Sequence, residues 1–368
     1  MRAFFQYITW PAIAGVLVAL LILQQWVVPD VKGMQLATGV LNYRQAVAKA
    51  TPSVVNIYTA KRVTEQNRRL LNNRFMPIPR GAARQRVERS LGSGVIMRDD
   101  GYILTNYHVI AEADAIQVLL SDGRRVPAEP VGFDVDTDLA ALRVDLDNLS
   151  AVEVANSDQI SVGDIVLAIG NPLGCEHSVT QGIISGLGRF GMNPGAYEGF
   201  IQTDAVIHPG SSGGALVDAE GQLVGINTLI YTSADGGNNG MVGIGISLAI
   251  PSNLARFIMD DLIRYGRVIR GWLGVEAEPI AGVGTGDGQR LFVRSVVTDG
   301  PADRAGIREG DIITHFDDEA ITDVRLSMYE LSLLRPGDKL TITVLRDTGS
   351  EDLTAIVGQK IENENAGN

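Results

Sequence analysis

His208-Pro209-Gly210-Ser211-Ser212-Gly213-Gly214-Ala215-Leu216 sets a serine in a glycine-rich turn that runs into an apolar stretch. Glycine beside Ser212 lets the backbone turn with no Cβ in the way, so main-chain N–H groups can crowd around one point. A serine hydroxyl is a poor nucleophile until a base takes its proton, and the tetrahedral adduct it forms needs two aimed N–H donors. The amides of Gly210 and Ser212 are the predicted donors. A plain glycine-rich connection between two strands would look the same, because short motifs misfire often. A catalytic reading therefore needs a histidine and an acid elsewhere in the chain.

Only four histidines exist, at 108, 177, 208 and 315. His108 is the candidate base: it ends the run Gly101-Tyr102-Ile103-Leu104-Thr105-Asn106-Tyr107-His108, which reads as a strand leading into a short turn. The acid is best sought at Asp138, at the mouth of a strand in which Leu142, Val144 and Leu146 alternate with charged residues. Asp134 and Asp136 are nearby rivals. The chain order His108, Asp138, Ser212 is that of chymotrypsin, not that of subtilisin or the α/β-hydrolases.

Thr105-Asn106-Tyr107-His108-Val109, Thr137-Asp138-Leu139-Ala140 and Gly210-Ser211-Ser212-Gly213-Gly214 together resemble the HtrA serine proteases, over about residues 43–357. One anchor helix, one protease domain and one PDZ domain make the chain most similar to the DegS/AlgW branch. The family usually has Asn where this chain has Ser211. The resemblance implies two β-barrels with the triad in the cleft between them, a homotrimer built through the N-terminal part of the protease domain, and cleavage after a small aliphatic residue.

The composition agrees with an enzyme of this kind. The 368 residues suggest two or three folding units, and 42 glycines fit a turn-rich β protein. A formal charge of −12 argues against nucleic acid as a general partner. Cys175 is the single cysteine, so no internal disulfide forms, and the scattered histidines offer no metal-ligand spacing. No metal or cofactor is expected, and Cys175 reads as an ordinary loop or core thiol.

Residues 8–28 are almost wholly apolar, long enough to span a bilayer, with Trp10 and Trp26 near the ends. No small-x-small cleavage site directly precedes Pro29, so an uncleaved N-terminal transmembrane helix (1–29) is expected, followed by a tether (30–42). Arg2 places the N-terminus in the cytoplasm and the rest in the bacterial periplasm. Between Lys61 and Arg89 nine basic residues face two acids, which reads as a solvated loop.

Short apolar runs bounded by Gly, Asp or Asn then predict a hairpin over 94–106 that turns at Asp99-Asp100-Gly101, and strands at 53–59, 116–120, 123–133, 165–169, 179–184, 200–202, 216–230 and 242–250. The loops 185–199 and 232–243 should flank the substrate cleft. A helix over 252–267, capped by Ser252 and ended by Gly266, closes the protease domain (43–267).

From 268 to 360 a second domain opens with Gly271-Trp272-Leu273-Gly274-Val275 and continues with Gly300-Pro301-Ala302-Asp303-Arg304-Ala305-Gly306-Ile307 and Gly310-Asp311-Ile312-Ile313, which resembles a PDZ domain. Such a domain binds a peptide C-terminus as an added strand, its carboxylate held by successive N–H groups of the opening loop. Trp272, Leu273, Gly274 and Val275 match that loop. Met328, Leu331 and Leu334 share a helix face that reads equally as groove or core, and 361–368 is a polar tail expected to be disordered.

The expectation is a mainly β protein: a chymotrypsin-like double β-barrel protease domain followed by one PDZ domain, with an N-terminal transmembrane helix. The expected function is a membrane-anchored periplasmic serine endopeptidase. Its partners would be exposed C-termini of unfolded envelope proteins and, by resemblance, a membrane-spanning anti-sigma factor as substrate. The alternatives are a general periplasmic quality-control protease and an inactive peptide-binding scaffold.

Overall fold

Apolar runs punctuated by Gly, Asp and Asn build three β assemblies in the computed structural model, which describes residues 42–65, 84–171, 177–190, 199–230, 246–281 and 289–359. The first contains helix α1 (Arg44–Ala50), β1 (Val54–Glu65), β2 (Arg84–Ile96), β3 (Tyr102–Asn106), the single turn α2 (Tyr107–Ile110), β4 (Ala115–Leu119), β5 (Arg125–Pro127), β6 (Glu129–Asp134) and β7 (Leu139–Arg143). Its antiparallel sheet runs in the order β5-β4-β1-β2-β3-β7-β6. The two edge strands, β5 and β6, are separated in sequence by Ala128 alone, so the sheet has to curl around its core. Its described ladder does not close, which departs from the expected pair of barrels. Ile57, Ile96, Ile103 and Leu142 fill that core.

The second assembly, β8 (Ile165–Gly170), β9 (Ser178–Arg189), β10 (Phe200–Thr203), β11 (Ala215–Asp218), β12 (Leu223–Ile230) and β13 (Ser247–Pro251), is a closed barrel in the order β10-β13-β12-β11-β8-β9. Helix α3 (Ser252–Tyr265) follows.

Local chemistry explains where the sequence expectations shift. The run 216–230 is two strands, because the Asp218 carboxylate accepts the N–H groups of Glu220 (3.0 Å) and Gln222 (2.8 Å) and reverses the chain. The strand expected over 123–133 splits at Ala128, whose N–H bonds Ile116 O instead of continuing a ladder. β7 is buried from Leu139 to Leu142 instead of alternating, because it lies between β3 and β6 and packs against α3. Ser252 does not cap α3; its hydroxyl bonds Ala155 O at 2.8 Å. Gly266 does end that helix, with φ of 69° and its N–H on Leu262 O.

The third assembly comprises β14 (Gly271–Trp272), β15 (Val275–Ala281), β16 (Gln289–Val296), α4 (Pro301–Ala305), β17 (Ile312–Phe316), β18 (Glu319–Ala320), α5 (Val324–Leu333), β19 (Lys339–Arg346), β20 (Gly349–Ile356) and β21 (Gly358–Gln359). Its main sheet runs β15-β16-β17-β19-β20, so β15 is an edge strand; β14 pairs with β21. Asp323 caps α5, accepting from the N–H groups of Arg325 and Leu326. Leu331 is buried in the core and Leu334 packs against it, whereas Met328 is exposed. The face shared in sequence is therefore mostly core.

Contacts among the described residues join this assembly to the rest of the compact unit that starts at Arg44. Arg270 forks onto the Asp134 carboxylate (3.0 and 2.6 Å). Arg335 bonds the buried Asp261 of α3 at 2.6 Å and lies over the Phe257 ring. Tyr329 of α5 meets Phe190 edge-on at 6.0 Å, and burial, with Asp158 and Glu330 nearby, pushes its hydroxyl up to about 12.

The anchor at 1–29, the tether to 41, Cys175, the middle of the basic loop, the loop 232–243, the tip of 185–199 and the tail 361–368 lie outside the described residues. Among the described residues no helix is long and apolar enough to cross a membrane.

Candidate active site

β3 delivers Asn106, Tyr107 and His108 to one point, and all three grip Asp138. The Tyr107 N–H and Asn106 Nδ2 both donate to the Asp138 carbonyl at 2.9 Å. The His108 N–H donates to Asp138 Oδ1 at 2.9 Å, and His108 Nδ1 lies 2.6 Å from Oδ2. Asp138 adopts φ of +56°, a left-handed conformation that aspartate tolerates better than most residues. The turn before it is held by Asp134, whose carboxylate accepts the Thr137 N–H (3.0 Å) and hydroxyl as well as Arg270. The rivals are thereby separated: Asp134 supports the turn, Asp136 lies 3.8 Å from Arg270, and Asp138 meets the histidine.

The nucleophile turn is stitched to both β assemblies. The Ser93 N–H of β2 donates to Ser212 O (2.9 Å), and the Ser93 hydroxyl donates to Gly210 O (2.8 Å). On the other side Gly213 N–H bonds Asn227 O (2.8 Å) and Asn227 N–H bonds Gly214 O (2.9 Å). Gly213 has φ of 82°, and a Cβ there would sit 2.2 Å from Ser93 O, so only glycine fits. Ser211 N–H bonds His208 O at 2.9 Å; with Pro209 second and Gly210 third at φ of 92°, residues 208–211 form a type II turn. The Gly210 and Ser212 amides donate to no group among the described residues.

Ser212 Oγ donates to Thr228 O at 3.1 Å, and no hydrogen bond links it to His108 among the described residues. The Thr228 hydroxyl donates to Asp138 Oδ2 at 3.2 Å. Thr228 thus touches both ends of the constellation, and the sequence reading passed over it. The signal was the polar pair Asn227-Thr228 inside an apolar run, with Thr228 2 % exposed in β12. Ser93, between Gly92 and Gly94, was passed over for the same reason. No group of three or more His, Cys, Asp or Glu residues suited to a metal occurs among the described residues.

At the opening of the third assembly the carbonyls of Leu273 and Gly274 turn inward, accepting from Ala302 (2.9 Å) and Val297 (2.8 Å). Their own N–H groups donate to nothing among the described residues, and Gly274 takes φ of 79° with the Trp272 ring packed over it. The Leu273 side chain is buried, so this loop offers backbone next to the free edge of β15.

Comparison with known proteins gives the same division. Residues 92–226 match the trypsin-like peptidase domain family and residues 271–357 the PDZ domain family. The chain is 44% identical over 312 residues to the serine endoprotease DegS of Escherichia coli K12, spanning 83% of this chain and 82% of that one. It is 38% identical over 341 residues to a probable periplasmic serine endoprotease, DegP-like, of Halomonas elongata, spanning 86% and 70%. Among solved structures it resembles the HtrA-type protease AlgW with a decapeptide, at 45% identity and a TM-score of 0.69 over 87% of this chain and 99% of that one.

Proposed function

Since the chain belongs to the HtrA family of serine endoproteases, we propose that it cleaves peptide bonds in the periplasm with Ser212 as nucleophile, His108 as base and Asp138 as the group that orients the base. The observation that carries this reading is the Asp138 carboxylate, gripped by the His108 ring and amide and by Thr228, together with a serine turn whose Gly210 and Ser212 amides donate to no group among the described residues. The carboxylate selects the Nδ1–H tautomer, which leaves Nε2 to accept a proton. The Ser212 hydroxyl turns from Thr228 O to Nε2 and attacks the substrate carbonyl; the Gly210 and Ser212 amides take the charge on its oxygen. His108 then passes the proton to the leaving amine, and water repeats the sequence on the acyl-enzyme. The hydroxyl-to-imidazole contact forms on reaction, as is common for sites described without substrate.

The PDZ domain, about residues 268–360, is the regulator in this reading. A peptide with a free C-terminus adds to the edge of β15 and places its carboxylate on the amides between Trp272 and Val275. The Tyr329–Phe190 contact connects the neighbouring helix to the segment beside the cleft, which supports coupling between the two sites. The substrates are exposed envelope polypeptides, including a membrane-spanning anti-sigma factor, cleaved by a homotrimer that residues 1–29 anchor in the inner membrane. General quality control is the second reading, favoured by the match to the DegP-like relative.

A small chromogenic peptide that does not reach the PDZ domain tests the proposal. Hydrolysis should rise on adding a free-acid peptide and not its C-terminal amide, and should vanish in Ser212→Ala. Turnover by the alanine variant would refute the nucleophile. An unchanged rate, with peptide binding confirmed, would leave the PDZ domain as a tether.

A further inference from the structure

β15 is an edge strand, and one contact fixes which of its backbone groups face the open side. The Val297 N–H donates to Gly274 O at 2.8 Å, on the β16 side. Across a trans peptide the next N–H points the opposite way, so that of Val275 faces the free edge. Orientation alternates along a strand, so Val275 and Ala277 present both backbone groups to that edge, and Pro279 presents a carbonyl alone.

This edge sets the register of an added peptide. With its carboxylate on the Leu273 and Gly274 amides, an antiparallel strand places its last residue opposite Val275 and its third-last opposite Ala277. The penultimate residue then lies opposite Glu276 and the fourth-last opposite Glu278. Pairing weakens beyond that point, because Pro279 has no N–H to give.

Val275 and Ala277 pack against the core of the domain, so Glu276 and Glu278 lie on the other face of the sheet. The penultimate and fourth-last side chains of the peptide share that face, each in a closely spaced pair with one glutamate. The two glutamates are not equivalent. Glu278 pairs with Arg294 of β16, whereas the exposed Glu276 accepts the Ser295 hydroxyl at 3.1 Å and has no cation against it among the described residues. The connection 282–288, outside those residues, contains no lysine or arginine in its sequence.

We infer that Glu276 makes the PDZ domain select C-termini with a basic penultimate residue. A lysine or arginine there sets its charge beside an unmatched carboxylate, and an acidic residue meets a like charge directly opposite. The fourth-last residue faces a pair that is already neutral and discriminates less. The inference rests on the reading of this domain as a binder of free C-termini by strand addition.

Fluorescein-labelled hexapeptides ending in Val-X-Leu, with X as lysine, glutamine or glutamate, test it by anisotropy. The full chain carries Ser212→Ala so that the peptides stay intact. At low salt each step from lysine to glutamine to glutamate should weaken binding about threefold, about tenfold in all, and 1 M NaCl should shrink that range. Glu276→Gln should level the series, and Glu276→Lys should reverse it. The same three residues placed fourth from last should differ by less than about twofold. A flat series, one that survives Glu276→Gln, or an equal series at the fourth-last position overturns the preference; the last result would reflect only the net negative charge of the chain. Free-acid and amidated peptides that bind alike, or fail alike to bind, refute strand addition itself and the preference with it, so the two failures are distinguishable.

Discussion

Thr228→Val removes one hydroxyl from the centre of the site and keeps the β-branched shape and the carbonyl that Ser212 bonds. The lost bond is 3.2 Å long, made to a carboxylate oxygen that also lies 2.6 Å from the His108 ring. A bond to an ionised acceptor contributes about 1.5–3 kcal/mol, and its length puts this one at the lower end. Asp138 keeps the His108 N–H on its other oxygen, so it stays in place but less firmly oriented. About 1.5 kcal/mol lost where the imidazolium forms corresponds to about a tenfold drop in rate. The drop should fall on kcat rather than KM, because the bond supports the transition state and not substrate binding. Steady-state hydrolysis of a chromogenic peptide measures this, with thermal unfolding as a check on the fold. Thr228→Ser should restore most of the rate because it restores the donor. A Val variant within about twofold of the parent, or a Ser variant no better than Val, would refute the positioning role.

Gly170→Ala should cost more than 1 kcal/mol in stability and most of the activity, because its Cβ would lie 2.7 Å from Ser211 Cα, where backbone must shift; wild-type kinetics would contradict this packing. Ser211→Ala should keep within a few-fold of the parent rate, since the Ser211 hydroxyl makes no described hydrogen bond; a loss as deep as that of Ser212→Ala would show that the turn depends on it. Asp311, 4% exposed, tests the PDZ core. Burial raises its carboxyl, but hydrogen bonds from Arg346 and the Arg308 amide outweigh that and hold it below the usual carboxylate range. A lowered folded value means that this stabilisation is complete above about pH 4, the unfolded range, and is lost as pH falls through the folded value. Asp311→Asn should therefore destabilise by about 3 kcal/mol at neutral pH, with a gap that shrinks in acid. Calorimetry of the full chain at pH 7 and pH 3 measures the gap, and equal gaps would contradict the assignment.

Much of the site was legible because its residues carry local signatures. A serine pair between glycines, a histidine at the end of an apolar run and an aspartate at the start of another are visible one stretch at a time. The choice among Asp134, Asp136 and Asp138 needed the fold, because it depends on which carboxylate the turn before β7 aims at His108 and which one Arg270, 136 residues from Asp134, draws away. Thr228 and Ser93 were hidden for the same reason: each is one polar residue in an apolar strand, ordinary until the two assemblies close on each other.

The sequence by itself determined the β-rich architecture and singled out Ser212 and His108, through periodicity, turn chemistry and spacing, which act over a few residues. The order of the two domains and the loop at the head of the third assembly were legible through resemblance to known families. Only the tertiary structure decided that the first sheet curls without a closed ladder, that β7 is buried on both faces, and that the Ser212 hydroxyl rests on Thr228 O instead of on His108. Those outcomes depend on contacts between residues tens to more than a hundred positions apart, whose pairing no local pattern encodes.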